Sequence, residues 1–184
     1  MSLRPPAPLC WSAAALLVTI AHAAWGSHAH HPAPTELSCP VVVRFSPHGG
    51  AEDAVVGALR RAALRVRAAI YGLTSTAIEA ALEDRARAGV PVALKTDRSQ
   101  SAGRDQSAVL HRLKEAGVVV EVSPSRTILH DKFAVVDGRW VITGSFNWTA
   151  SAERRNRENV LIFDCPALAA QFEAEWDGIQ VSRP

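Results

Sequence analysis

Lysine is scarce in this 184-residue chain: Lys95, Lys114 and Lys132 stand against seventeen arginines, and eighteen acids hold the formal charge to +2. So small a net charge excludes a general pull on nucleic acid, and any polyanion has to be held by a local site. Cysteine is also sparse. Cys10, Cys39 and Cys165 form no CxxC pair, which removes support for a structural zinc site. The apolar stretch Trp11 to Ala21 has 11 residues, where a membrane-spanning helix needs roughly 20. No internal repeat is present, so one chain does not carry two copies of any motif.

What is present begins with an export pattern. Arg4 is the only charge in the first twenty residues, and Ala21-His22-Ala23 has the small-x-small form of a signal-peptidase site. Residues 1–23 are therefore expected to be a cleaved signal peptide, and the mature protein to be periplasmic or secreted. Cys10 leaves with that segment. Cys39 and Cys165 are then the one possible intramolecular disulfide, with two ordinary thiols as the alternative. Residues 24–40, rich in His, Pro and Ala, read as a flexible lead-in, and His28, His30 and His31 are given no role. The remainder, 41–184, suits one α/β domain; 48% of the whole chain is apolar.

Strand and helix signals alternate along that domain. Val41 to Phe45 is a strand ended by Ser46-Pro47-His48-Gly49-Gly50, and the apolar spacing over Asp53 to Ala68 predicts a helix. Ala69 to Leu73 reads as a strand, Ser75 to Ala88 as an amphipathic helix closed by Gly89, and Val90 to Thr96 as the next strand. After the polar loop 97–105 come a helix, Gln106 to Ala116, and a strand, Val118 to Val122. Such alternation predicts a mixed, largely parallel sheet with helices on both faces. Two apolar runs then flank Asp137-Gly138, a tight-hairpin signal, before a strand at Asn159 to Phe163 and a helix at Pro166 to Gly178.

The hairpin carries the chemistry. Residues two apart on a strand share a face, so His130 with Lys132 and Ser145 with Asn147 can form one polar patch. A two-residue turn at Asp137-Gly138 predicts Thr143 opposite Lys132 and Ser145 opposite His130. A lysine beside the apolar run Phe133 to Val136 is costly to bury unless an anion meets it, and a phosphate is one such anion. A lone His-x-Lys is common by chance. The longer string is not: His130, Lys132 and Asp137 make H-x-K-x-x-x-x-D, followed by Gly144-Ser145-Phe146-Asn147 and Asn156-Arg157-Glu158-Asn159.

With these residues the chain resembles the phospholipase D superfamily, and within it the small, exported, single-motif bacterial endonucleases. VVVRFSP, YGLTS, TDRSQ and FNWTASAERRNRENV extend the resemblance over about residues 41 to 180. It implies that His130 attacks phosphorus to form a phosphohistidine and that Lys132 and Asn147 hold the non-bridging oxygens. It further implies that Ser145 lends a hydroxyl, that Glu158 fixes the imidazole, and that Asp137 completes the motif from a turn. No metal or cofactor is implied. A single motif implies a homodimer whose two His130 residues share one site, with His48 or His111 as the alternative acid within a monomer. The expected substrate is DNA and/or RNA, held by Arg154 and Arg155 among the nearby Arg126, Arg139 and Arg157; a phospholipase D-type lipid hydrolase acting on cardiolipin is the alternative.

Overall fold

A computed structural model describes residues 36–124 and 127–181. The expected signal segment, most of the lead-in and Arg126 lie outside the described residues. Thirteen elements follow in chain order: β1 (Val41–Ser46), α1 (Ala51–Arg60), β2 (Val66–Ile70), α2 (Thr76–Arg87), β3 (Val92–Asp97), α3 (Arg98–Ser101), α4 (Arg104–Glu115), β4 (Val119–Ser123), β5 (Lys132–Val136), β6 (Trp140–Gly144), α5 (Ala150–Arg154), β7 (Glu158–Asp164) and α6 (Pro166–Gly178).

The seven strands form one sheet in the order β1-β7-β6-β5-β2-β3-β4. It is mixed, as expected, but the expectation that it is largely parallel is corrected. Only β2 with β3 and β3 with β4 are parallel, whereas β2–β5, β5–β6, β6–β7 and β7–β1 are antiparallel. The helical crossovers α2 and α4 produce the parallel half; in the other half only β5–β6 is a tight hairpin, β6 and β7 are joined through α5, and β2–β5 and β7–β1 pair strands distant in the chain.

Both faces are covered. Leu59, Ile78, Leu82 and Leu113 of α1, α2 and α4 pack on Ile70, Leu94, Ala134 and Ile142 on one side. On the other, α6 lays Phe172 and Trp176 over Ala69 and Phe133, and Ala169 over Val135 and Val141. Each fully buried leucine or isoleucine in these layers contributes about 1.5–3 kcal/mol. Lys95 reaches the α6 side, where its Nζ donates to the carbonyls of Trp176 (2.7 Å) and Ile179 (3.0 Å) and so caps the end of that helix.

Two local expectations are also corrected. The first helix ends at Arg60, well short of Ala68, and Val66 to Ala68 belong to β2. The backbone N–H groups of Ala63, Leu64 and Arg65 donate to the Asp137 carboxylate instead of continuing the helix. The hairpin is one residue out of the expected register: Val136 pairs with Trp140 and Phe133 with Thr143. Asp137 and Gly138 have positive φ (55° and 64°), and Arg139 N–H closes the turn on Val136 O at 3.1 Å. Arg139 is thus an extra residue ahead of the ladder, held by Asp164 through two bonds of 2.5 and 2.7 Å.

Cys39 and Cys165 stand with sulfurs 2.00 Å apart and Cα atoms 5.5 Å apart, the spacing of a disulfide. Pro40 O accepts from Asp164 N–H at 3.0 Å, so the last residues of the expected lead-in are tied to β7.

Candidate active site

The carboxyl ends of the parallel strands β2 and β3 meet the start of β5, the end of β6, the start of β7 and the end of β1 at one edge of the sheet. In open α/β sheets the crevice beyond the strand carboxyl ends is where ligands bind. His130 lies here, exposed, just before β5. Its ring sits against Tyr71, the only tyrosine, with centroids 4.6 Å apart and planes tilted 58°.

The backbone around His130 is anchored on both sides. Leu129 N–H donates to Asp97 Oδ2 at 3.0 Å, and Asp131 O accepts from Tyr71 N–H at 2.9 Å. Asp97 Oδ1 also accepts from the backbone and hydroxyl of Ser99 (2.8 and 2.5 Å) and from Gln100 N–H (3.3 Å). Gln100 in turn donates its amide to the Tyr71 hydroxyl at 2.9 Å. Burial of Asp97 pushes its pKa up, but the bonds from Ser99, Leu129 and Gln100 outweigh it and hold the carboxyl below the usual aspartate range. Asp97, Gln100 and Tyr71 are positions the sequence reading did not single out. They lie in the strings TDRSQ and YGLTS, which carry no sign of the contacts that join them.

Lys132 begins β5. Its Nζ donates to His130 O at 2.6 Å and lies 5.2 Å from the Tyr71 ring centroid. Burial lowers its pKa, partly countered by the charges of Asp131 and Glu158. Two of its three donors remain for a ligand.

Gly144 lets the chain leave β6 at this edge: its φ is 143°, and a Cβ there would stand 2.2 Å from Asn159 O. The segment beyond is stitched to the loop after β2, through Trp148 N–H to Gly72 O (2.9 Å) and Thr74 and Ser75 N–H to Trp148 O (2.8 and 2.9 Å). That stitching fixes Asn147 against Gly72. Asn147 Oδ1 is buried without a hydrogen-bond partner among the described residues, an uncommon arrangement; the Nδ2 of the same amide is the atom that can donate to a ligand oxygen.

Ser145 gives its hydroxyl hydrogen to Glu158 Oε2 (2.5 Å) and accepts from Asn159 N–H (3.1 Å). Asn156 Nδ2 donates to Glu158 Oε1 at 3.2 Å. The Glu158 carboxylate is therefore engaged by Ser145 and Asn156 and not by the imidazole, which makes no hydrogen bond among the described residues. Asp137 is not in this site. It caps the turn at the opposite end of β5, five residues and roughly 16 Å from Lys132 at 3.3 Å per residue. Arg139 is at that far end too, whereas Arg154, Arg155 and Arg157 are exposed beside the site without ion pairs among the described residues. His48 occupies the loop after β1 on the site's edge, and His111 lies on α4 within 3.4 Å of Glu115. No group of three or more His, Cys, Asp or Glu able to hold a metal occurs among the described residues, and no helix there is long and apolar enough to cross a membrane.

Comparison with known proteins gives the same address. The family described as "Cardiolipin synthase, PLD-like domain" matches residues 55–179. The chain belongs to the phospholipase D superfamily. It is 32% identical over 147 residues to a protein named phospholipase D from Rickettsia felis, covering 80% of this chain and 72% of that one. A mitochondrial cardiolipin hydrolase from Xenopus tropicalis is 40% identical over 89 residues, 48% of this chain and 41% of that protein. The crystal structure of Nuc, a phospholipase D family member from Salmonella typhimurium, superposes with a TM-score of 0.75 at 31% identity, over 80% of this chain and all of that one. Membership makes this protein a phosphodiester hydrolase.

Proposed function

We propose that the protein is an exported, nonspecific endonuclease that cuts DNA and/or RNA through a phosphohistidine, without a metal, and leaves 5′-phosphate and 3′-hydroxyl ends. The observation that carries the reading is the convergence of His130, Lys132 and Asn147 at the strand ends, beside arginines that no carboxylate pairs with among the described residues. An imidazole nitrogen of His130 donates its lone pair to phosphorus as the bond to the 3′ oxygen breaks. The leaving oxygen takes a proton from His130 of a second copy of the chain. That imidazole then removes a proton from water, the hydroxide attacks phosphorus, and the P–N bond breaks to release the 5′-phosphate.

Lys132 and the Asn147 amide neutralise the oxygens on which charge develops. Ser145 acts through Glu158, steering a carboxylate whose field reaches Lys132. Arg154 and Arg155 hold flanking phosphates without reading sequence. Residues 41–184 are the catalytic domain, released after cleavage near Ala23, and it works as a homodimer.

The full names of the Rickettsia and Xenopus relatives favour a second reading, a phospholipase D-type hydrolase acting on cardiolipin or a phosphatidyl lipid. Incubating mature protein in EDTA with single-stranded DNA, duplex DNA, RNA and cardiolipin vesicles separates the two. Cleavage of nucleic acid in chelator is expected. Turnover of cardiolipin alone, or activity restored only by a divalent metal, would reverse the assignment.

A further inference from the structure

Among the described residues five arginines are held in ion pairs, and all lie away from the site: Arg65 with Glu173, Arg67 with Asp177, Arg87 with Glu83, Arg112 with Glu79 and Arg139 with Asp164. Arg104, which opens α4, is exposed and has no ion pair among the described residues. It lines a cavity of about 260 Å³ together with Gly72, Thr74, Gln100, Asp105 and Thr149.

Two contacts join this cavity to the catalytic groups. Gln100 holds the hydroxyl of Tyr71, whose ring faces His130. Gly72 presses on Asn147 so closely that a Cβ would stand 3.3 Å from Asn147 Oδ1 and 3.2 Å from Thr149 Cγ2. The cavity is therefore one residue removed from both the proposed nucleophile and a proposed phosphate ligand. Its size lies below the roughly 300–1,000 Å³ of pockets that enclose a whole small molecule, which leaves room for a phosphate and part of a sugar.

We infer that this cavity is a second subsite, taking the phosphodiester next to the scissile one along a polynucleotide strand, with Arg104 as its phosphate ligand. The inference rests on the nuclease reading. The Thr149 Oγ already accepts from Ala152 N–H at 3.1 Å, and its hydrogen remains available to the ligand. The Gln100 amide and the Thr74 hydroxyl add donors. Asp105 brings the cavity's formal charge to zero, which suits a sugar–phosphate with hydroxyl or ether oxygens better than a free, highly charged anion. A second phosphodiester tethered to the first is also present in cardiolipin, but no lining residue here is a bulky apolar one, so the cavity offers no slot built for acyl chains.

The test compares wild type, Arg104→Ala and Arg104→Lys on a decathymidylate, on bis(p-nitrophenyl) phosphate, which has a single phosphodiester, and on cardiolipin vesicles. Arg104→Ala is expected to lose roughly tenfold in kcat/KM on the oligonucleotide, the lower end for a charge-assisted hydrogen bond. Its slope of log kcat/KM against log salt should be shallower by about 0.7, one single-strand phosphate contact. Turnover of the small diester should be unchanged, and Arg104→Lys should recover most of the loss. Equal loss on both substrates, or an oligonucleotide rate and salt slope unchanged by Arg104→Ala, would overturn the subsite while leaving the nuclease reading intact. A selective loss on cardiolipin alone would overturn the polynucleotide as occupant. Wild type that turns over the small diester but cuts no oligonucleotide would overturn the nuclease reading and this subsite together.

Discussion

Replacing Asp97 by Asn tests whether the backbone anchor of His130 matters to chemistry. The carboxylate is 4% exposed and accepts four hydrogen bonds, three on Oδ1 from Ser99 and Gln100 and one on Oδ2 from Leu129 N–H. Asn keeps one acceptor oxygen and turns an NH2 toward the other set of donors. If the oxygen stays with Ser99 and Gln100, Leu129 N–H is left buried against an NH2. The loss of one bond to a charged group costs about 1.5–3 kcal/mol. The first-order consequence is a lower unfolding free energy in urea; the second is freedom for the 129–130 backbone, where a shift of about 1 Å costs on the order of 100-fold in rate. The stability difference also has a pH signature. A carboxyl held below its unfolded value stabilises the fold above that value, about 3.9, and the contribution is lost as pH falls through the native pKa. The gap between wild type and Asp97→Asn should therefore be full at pH 7 and close on acidification below pH 4. Urea midpoints at pH 7 and pH 3, with kcat on a small phosphodiester at pH 7, read all three effects. A variant with the wild-type midpoint and kcat would refute the anchoring role; a lower midpoint with unchanged kcat would restrict Asp97 to stability.

Three further outcomes are expected. Asp137→Asn weakens the acceptors for Ala63, Leu64 and Arg65 N–H, and should lower stability by about 1–2 kcal/mol with kcat unchanged; because burial is outweighed by those bonds and the Asp137 pKa is lowered, this loss too should shrink in acid, and a large fall in kcat would return the residue to the site. His130→Ala should form no phosphoenzyme in a rapid-quench experiment with labelled substrate, and a trapped covalent adduct would move the nucleophile elsewhere. Cys39→Ser opens a link spanning 126 residues and should cost about 2–4 kcal/mol under oxidising conditions, an effect that reductant must reproduce in the wild type.

The layers of the fold follow from local signals that the sequence carries in the open. Pro166 to Gly178 is helical over that whole span because proline starts it, and the Ser75 hydroxyl caps α2 by accepting from Ile78 N–H at 3.2 Å. Errors occur where a distant partner overrides a local pattern. The spacing of Ala63 and Val66 continues the period of α1, yet the carboxylate that stops the helix comes from Asp137, 74 residues beyond Ala63. Likewise Asp137-Gly138 marks the hairpin, but the extra residue Arg139 is stabilised by Asp164 on a third strand, and that shifts the register by one. Strand spacing places His130, Lys132, Ser145 and Asn147 in one patch, and Glu158 is legible only through the family resemblance. Asp97 and Gln100 are not legible, because their partners Leu129 and Tyr71 are 32 and 29 residues away. Conversely, the motif grouped Asp137 with the site although it supports the far end of the same strand.

Lys132 links the site's electrostatics to a pH profile. Burial depresses its pKa in the free protein, and its one acceptor among the described residues is the neutral carbonyl of His130. A bound phosphodiester places a negative charge against the ammonium and favours the protonated form, which raises the pKa again. The alkaline limb of kcat/KM, which reports the free enzyme, should therefore begin below the ordinary lysine range near 10.4, while the limb of kcat, which reports the complex, should lie at higher pH. Lys132→Arg keeps its charge throughout the accessible range and should lose the limb along with much of the rate, since its planar fork does not reproduce a point ammonium. Loss of about 100- to 1,000-fold in turnover is expected for Lys132→Ala, the scale of removing one oxyanion donor. Coincident alkaline limbs for kcat and kcat/KM, or a limb that persists in Lys132→Arg, would show that another group sets it and that the phosphate does not sit on Lys132.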